Sequence, residues 1–355
     1  MFRASICFFL FLLSLLPSCS SDEPLQQYRP SEFKGIAYIQ VSRGSHISVL
    51  NLKTGEIGRI VTGNKSQSIS LSSDKKAIYA FSYNGFVRRI ELLTGKSSEW
   101  EKIASGVCNT TPGKTDAILI TDPKRLRLLE YEPGSGNVKS LMSIRKGVCG
   151  IHERKDGSRI YLTNRRLSTV SIINTPDFKI LEEIKGAGNS IHNTMVSPSG
   201  DTLWVAEGNE FRNGKPYGVG FSKLEAMQGG INIINLQTKA LEDFIIVGGN
   251  VMDLSFSSDG KYAYVISSQM PEYDEAMLTV VNVAARRVVK NYSLCKSCHI
   301  WKDVELPGGK AFVSALQVDE KATADSVKGA LESGFYSSEP GGESTLLKQM
   351  YENAE

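Results

Sequence analysis

The sequence predicts an all-β protein, a β-propeller of four-stranded blades, with seven blades favoured over six. One observation is a unit that recurs about every 40 to 60 residues: a β-rich run, a small-polar turn and a second β-rich run. It can be read at 68–74, 107–114, 148–157, 191–200, 251–260 and 298–309. Another is that each copy leads into a short strand such as Thr202-Leu203-Trp204-Val205-Ala206 or Lys261-Tyr262-Ala263-Tyr264-Val265, and then into a hairpin such as 47–57. Four short strands per repeat at this period is the pattern of a propeller. The turns use Asp and Gly, which tolerate the tight or left-handed backbone a hairpin needs.

Taken in order, residues 1–18 read as an export leader. Arg3 supplies the positive charge, and 6–16 is an apolar run too short to span a bilayer comfortably. It ends in Leu16-Pro17-Ser18-Cys19, which resembles the lipobox of bacterial lipoproteins, where the Cys becomes the lipidated first residue. Proline at the middle position departs from that pattern, and a secreted protein with an incidental Cys is the alternative. The resemblance implies lipidation at Cys19, a polar tether over 19–34 and a membrane anchor made by lipid alone, on the extracytoplasmic side of a bacterial envelope. Exported thiols tend to be oxidised, metal-bound or attached to a cofactor. With Cys7 and Cys19 set aside, the thiols that remain are Cys108, Cys149, Cys295 and Cys298.

Residues 35–318 form the propeller. Its N-terminal part supplies strands at 35–42, 46–52 and 57–61 without an inner one, and its C-terminal part supplies an inner pair over 298–316. Joining the two ends in one blade removes free sheet edges. Residues 319–355 read as a partly helical tail, frayed rather than docked. A net charge of +3 with 22% charged residues gives no basic excess of the kind that recruits nucleic acid.

Ile231-Asn232-Ile233-Ile234-Asn235-Leu236, followed by Ser255-Phe256-Ser257-Ser258-Asp259-Gly260-Lys261-Tyr262-Ala263-Tyr264-Val265, resembles the repeat of the YVTN family of propellers; Thr163-Asn164 is among its better local matches. That family is similar in fold to lactonase-like propellers, to the haem-binding propeller of the haem-d-type nitrite reductases and to amine dehydrogenase heavy chains. The resemblance implies a fold and carries over no catalytic residue.

Equivalent positions in different blades lie on one ring. Aligning the copies places Cys108, Cys149, His192, Met252 and Cys298 with His299 at the start of the inner strand, facing the channel mouth. The connections between second and third strands open on the same side. The enlarged one, 208–229, carries Phe211, Arg212, Lys215, Tyr217 and Phe221, and its neighbour carries Tyr273. Long decorated loops on one rim mark the binding side for a protein or small-molecule ligand. The soft residues of the ring also suit plain packing, and either histidine suits a hydrogen bond to a neighbouring blade.

Cys295-Lys296-Ser297-Cys298-His299 has three readings. Cys-X-X-Cys-His is the motif of c-type haem attachment, with His192 or Met252 as the second axial ligand. Sulfur and imidazole donors from several blades suit copper or zinc. A disulfide between Cys295 and Cys298 is the third, with Cys108 and Cys149 paired across adjacent blades or free. His46 reads as a surface residue and His152 reaches either the channel or the opposite sheet face. Pro112-Gly113-Lys114-Thr115 lacks phosphate-loop spacing, and no Gly-X-Ser-X-Gly elbow occurs. A ligand-binding module without catalysis is the leading expectation, with a redox protein carrying haem or copper as its rival. A lactonase-like hydrolase ranks last, because that family relies on carboxylate and His donors.

Overall fold

The computed structural model describes residues 33–41, 44–208, 211–212, 215–216, 229–268, 276–294 and 313–333. The first strands are β1 (Ile36–Val41), β2 (Gly44–Asn51) and β3 (Ile57–Leu71). Strand β3 serves two blades: its first part pairs with β2, and after a register irregularity near Ser66 its second part pairs with β4 (Ala77–Ser82). Next come β5 (Phe86–Glu91) and β6 (Glu101–Lys102), then a sheet of β7 (Thr110–Pro112), β8 (Ile118–Asp122), β9 (Arg127–Glu132) and β10 (Asn137–Ser143). The following sheet contains β11 (Val148–Glu153), β12 (Arg159–Asn164), β13 (Thr169–Asn174) and β14 (Lys179–Lys185). After β15 (Ile191–Val196) and β16 (Thr202–Glu207), a small hairpin of β17 (Phe211–Arg212) and β18 (Lys215–Pro216) interrupts the blade completed by β19 (Gly230–Asn235) and β20 (Leu241–Ile246). The last four-stranded sheet is β21 (Asn250–Phe256), β22 (Tyr262–Ser268), β23 (Ala276–Asn282) and β24 (Arg287–Ser293). Strand β25 (Val313–Asp319) then pairs antiparallel with β1, Ile36 opposite Asp319.

These sheets resolve into six four-stranded blades among the described residues. Blade 1 is β25-β1-β2 with the first part of β3, and blade 2 is the rest of β3 with β4-β5-β6; blades 3 to 6 are the four separate sheets. The inner strands neighbour one another in a closed cycle, β25 to β3, β7, β11, β15, β21 and back to β25. From the sequence the two chain ends give six blades with one strand to spare or seven with two incomplete, and the family resemblance favours seven. Sharing β3 and closing blade 1 with β25 absorbs them into six. The copy at 298–309 lies outside the described residues.

The middle strands explain the continuous apolar runs in the sequence. All six residues of β4 are buried, because each face of a blade packs on a neighbour. One apolar cluster fills each junction; Trp204, 1% exposed, lies with Ile231, Val251 and Val265 between blades 5 and 6. Outer strands are exposed and charged, as in Lys179, Glu182, Glu183 and Lys185 of β14, which discourages pairing at a free edge. His46, expected at the surface, is buried in β2, where its carbonyl faces the Gln40 side chain.

Antiparallel alternation gives the ring two different ends. Turns between first and second strands lie on what is here named the turn face. There Ser72 Oγ donates to Asp74 Oδ1 at 2.6 Å and the Lys76 amide donates to the same oxygen at 3.0 Å. Ser257 and Lys261 treat Asp259 alike, with Gly260 at φ 73° completing the turn. The recurrent Ser-x-Asp of the sequence is therefore a turn lock. The opposite end, where inner strands begin and second strands hand over to third strands, is the loop face.

Of the tail expected over 319–355, residues 325–333 dock against the ring rather than fray, and 334–355 lie outside the described residues. A 3-10 turn (Asp325–Val327) leads into α1 (Lys328–Ser333), and Val327, Ala330 and Leu331 join the cluster of Ile60, Ile69, Ile78 and Ile90 between blades 1 and 2. The Gly329 and Ala330 amides donate to the Leu93 and Leu92 carbonyls at 3.1 and 3.0 Å. A Cβ at Gly329 would overlap the Leu93 carbonyl, so the helix approaches that closely only through glycine. Leu331→Ala is expected to cost about 2–3 kcal/mol through loss of a buried side chain, read as a lower thermal midpoint and faster amide exchange across 328–333. An unchanged midpoint and unprotected amides would mean that the helix is not docked.

Candidate functional site on the loop face

The start of each inner strand is bonded to the next blade, and the bonds circle the ring. Ser66 Oγ donates to Gln40 Oε1 at 2.8 Å between blades 1 and 2. Between blades 2 and 3, Ser68 Oγ lies 3.1 Å from Asn109 Oδ1 and 2.9 Å from Thr110 Oγ1. Thr121 Oγ1 donates to the Cys149 carbonyl at 2.7 Å, and one blade further Thr163 Oγ1 donates to the His192 carbonyl at 2.6 Å. Asn193 Nδ2 donates to Asp253 Oδ1 at 2.6 Å, and the Leu316 amide of the closing strand donates to Asp253 Oδ2 at 2.8 Å. Every junction of the six is spanned.

This belt decides what several of the expected ligands do. Cys108 and Cys149 form a disulfide across blades 3 and 4, with Cα atoms 5.3 Å apart. As bonded, they do not offer thiolates to haem or metal, and the pairing across adjacent blades is the reading that holds for them. Met252 is half-buried and packs against the cluster of Phe33, Tyr264, Leu278 and Leu316 between blades 6 and 1, a filler's position. Among the described residues no group of three or more His, Cys, Asp or Glu side chains is placed to hold a metal ion. Cys295, Cys298 and His299 lie outside the described residues, as do Cys19, Tyr217, Phe221 and Tyr273. Phe211, Arg212 and Lys215 belong to the β17–β18 hairpin.

His192 heads β15, and its environment is the least ordinary on the loop face. Burial pushes its imidazole down to about 3; the Arg165 guanidinium adds to that, while the Asn250 side chain acts the other way. The ring is therefore neutral at physiological pH. Its Nε2 and Asn250 Oδ1 are both enclosed, and beyond their approach to one another neither has a partner of good hydrogen-bond geometry among the described residues. Both also crowd Gly208, where a Cβ would overlap them. His152 is neutral too, pushed down to about 4 by burial; its ring lies 6.2 Å from that of Tyr161, its strand partner on β12.

Sequence reasoning missed Arg165, Glu207 and Asn250. Glu207 ends β16 at the place where blades 3 and 4 carry Asp122 and Asn164. Those two accept amides of their own turns, Asp122 Oδ1 from Lys124 at 2.9 Å and Asn164 Oδ1 from Arg166 at 3.1 Å. Glu207 instead receives the Asn232 side chain and groups of Asn189, and burial raises its pKa. The readable signal was a longer acid replacing Asx where the second-to-third connection swells to the 208–229 excursion. Together, Arg165, His192, Glu207, Asn232 and Asn250 bring guanidinium, neutral imidazole, carboxylate and amides from blades 4 to 6 to one side of the channel mouth. The set provides hydrogen bonding and charge, without a nucleophile among its members.

No family model matches the chain, and no curated protein matches it. Solved structures do. A protein of unknown function from Bacteroides caccae aligns at TM-score 0.58 with 14% identity, over 81% of this chain and all of that one (100%). A chain of the nidogen/laminin complex aligns at 0.57 with 9% identity, over 79% and 98%. Kuenenia stuttgartiensis hydrazine synthase aligns at 0.54 with 11% identity, over 76% and 89%. At such identities the likeness is one of fold, and the fold is a β-propeller.

Asp253 supplies a test of the belt. Burial raises its pKa to about 6 against the opposing hydrogen bonds from Leu316, Asn193 and Leu254. The folded chain thus holds this proton more tightly than an unfolded one, whose carboxyl titrates near 3.8. The stabilisation from protonation is complete below about pH 4 and lost as pH rises through 6, on the order of 3 kcal/mol. Asn193 Oδ1 has no partner among the described residues, so a flipped Asn193 accommodates either the acid proton or an amide at position 253. Asp253→Asn is expected to remove this term. From pH 7.5 to 5, wild type should gain stability relative to the variant in urea unfolding, and parallel curves would refute the assignment.

Proposed function

We propose that this chain is a lipid-anchored, extracytoplasmic β-propeller that binds a ligand or partner protein through its loop face. The carrying observation is the contrast between the two ends of the ring. On the turn face, polar groups close on one another, as in the Ser-x-Asp locks. On the loop face of blades 4 to 6, His192 Nε2 and Asn250 Oδ1 are enclosed without a well-formed hydrogen bond among the described residues, beside the long 208–229 connection. Leftover hydrogen-bonding groups next to long loops on a rigid scaffold are what a recognition site requires.

The Cys108–Cys149 disulfide supports the extracytoplasmic address independently of the leader, because such bonds persist in oxidising compartments. With residues 1–18 present, the pair is expected to resist alkylation in cells until reductant is added. Made in a reducing cytosol without that segment, it is expected to alkylate directly. Equal alkylation in both would remove this support. For the anchor, Cys19→Ala is expected to move the chain from the membrane fraction to the soluble one and to abolish acyl labelling. Retention at the membrane would overturn lipid anchoring.

The second reading is a redox protein carrying c-type haem or copper through Cys295, Cys298 and His299. The disulfide favours keeping it, since it uses the other two ring cysteines and leaves this motif intact. Exported in a host competent for haem maturation, the chain would then show a haem band that survives denaturation. A mature mass equal to the lipidated polypeptide alone, together with no metal by elemental analysis, would eliminate this reading.

A further inference from the structure

Charge is unevenly shared between the two ends of the ring. On the turn face, cations sit beside acids: Lys75 with Asp319 at 2.9 Å, Arg154 with Asp156 at 3.2 Å and Lys261 with Asp259 at 3.3 Å. On the loop face of blades 2 to 4, Lys65, Lys102, Lys124, Arg125, Lys146 and Arg166 are all exposed. None of these six forms an ion pair among the described residues. The acids nearest in sequence are Glu101 and Asp122, and Asp122 is buried, accepting turn amides. A chain of net charge only +3 therefore presents a concentrated basic arc on one side.

The arc is built rather than scattered. Lys124 and Arg166 occupy the same place in blades 3 and 4, each the second residue after an Asx side chain that captures its amide. The following residues Leu126 and Ser168 take φ of 54° and 51°, so the two connections share one backbone course. The Arg166 stem lies over Gly147, where a Cβ would stand 2.7 Å from its Cγ. Lys124 and Lys102 both hydrogen-bond Asn84, and Lys124 Nζ stands 4.8 Å from the centre of the Tyr83 ring. Apolar groups are interleaved: Tyr83, Leu126 and Leu167 are 38%, 37% and 53% exposed. Arginine and tyrosine are the residues enriched at protein interfaces, so Arg125, Arg166 and Tyr83 are the anchoring candidates, while the lysines contribute long-range steering.

We infer that the loop face of blades 2 to 4 docks an acidic protein surface, steered by this basic arc. The inference rests on the binding reading above and gives that reading a partner class. The chain's own membrane is the less suitable occupant. Strand β1 begins beside Asp319, the turn-face end of β25, and Gly35 abuts the Asp319 and Glu320 backbone. The first described residues therefore lie at the end of the ring opposite the arc, and a chain tethered through Cys19 would be held from that side.

The test places a photo-cross-linking phenylalanine analogue at Arg125 or Leu167 of the full chain in cells that export it, with matched chains carrying it at Lys215 and at Lys76 on the turn face. Discrete protein adducts are expected at 125 and 167 and not at 76, mapping to peptides rich in Asp and Glu. In the background Lys124→Glu with Arg166→Glu, adduct yield at 167 should fall at least about tenfold while the thermal midpoint stays in place. Adducts at 215 with none at 125 or 167 would overturn the basic-arc assignment and leave the binding reading standing. Adducts at none of the loop-face positions would sink both. Products with lipid or glycan alone, or protein adducts indifferent to the charge reversal, would also overturn it.

Discussion

The ring depends on the belt of bonds that joins the start of each inner strand to the next blade. Apolar burial between blades supplies most of the stabilisation, but it is non-directional and tolerates sliding of one sheet on another. Hydrogen bonds between enclosed groups do not, since each displaced partner leaves a desolvated polar atom. The six junctions reach the same end by different chemistry. Hydroxyls serve at Ser68, Thr121 and Thr163, a hydroxyl–amide pair at Ser66 and Gln40, a carboxylate at Asp253 and a disulfide alongside Thr121. The closing junction receives the carboxylate, whose two oxygens hold Asn193 and the Leu316 amide of β25 at once.

This belt also explains why some of the sequence was legible. Thr163-Asn164 stands out in its repeat because each residue has a separate structural task. The threonine hydroxyl reaches the next blade, and the asparagine caps its own turn through the Arg166 and Leu167 amides. Thr121-Asp122 repeats both tasks, whereas Ala206-Glu207 keeps neither, and that is where the blade departs into its long connection. The Ser-x-Asp turns were readable for the same reason, being local bonds between residues two apart. What local pattern cannot carry is partnership over distance. That the chain ends share a blade is expected of a propeller, but which strands meet, β25 with β1, that Cys108 bonds Cys149 rather than staying free, and that His46 is enclosed beside Gln40 are consequences of ring closure. That β3 belongs to two blades, so that the described strands close as six, is likewise not legible in the local pattern.

The two ends of the ring have been put to different use. The turn face is where hydroxyl and amide donors lower the carboxyls of Asp74, Asp201 and Asp259, and where α1 closes over blades 1 and 2. Acids satisfied in this way have little left to offer a ligand. Among the described residues the six cations of the arc on blades 2 to 4 form no ion pair, although Arg145 nearby pairs with Glu183, and enclosed polar atoms on blades 5 and 6 lack well-formed partners, so long-range attraction and short-range hydrogen bonding are both available there.

The two halves of the loop face respond differently to solution conditions. Exposed lysines and arginines attract acidic groups over about one Debye length, roughly 8 Å at physiological salt, and that attraction fades as salt is added. His192 and Asn250 are enclosed and act only on a group that reaches them, with little screening. Because burial and Arg165 hold His192 neutral at any physiological pH, this cluster does not gain charge on mild acidification. Discrimination here must come from shape and hydrogen-bond complementarity, and the absence of a side chain at Gly208 keeps the approach to both atoms short. Steering and selection are thus assigned to neighbouring blades of one rigid ring, and a partner drawn in by the arc would meet the His192 cluster at its edge.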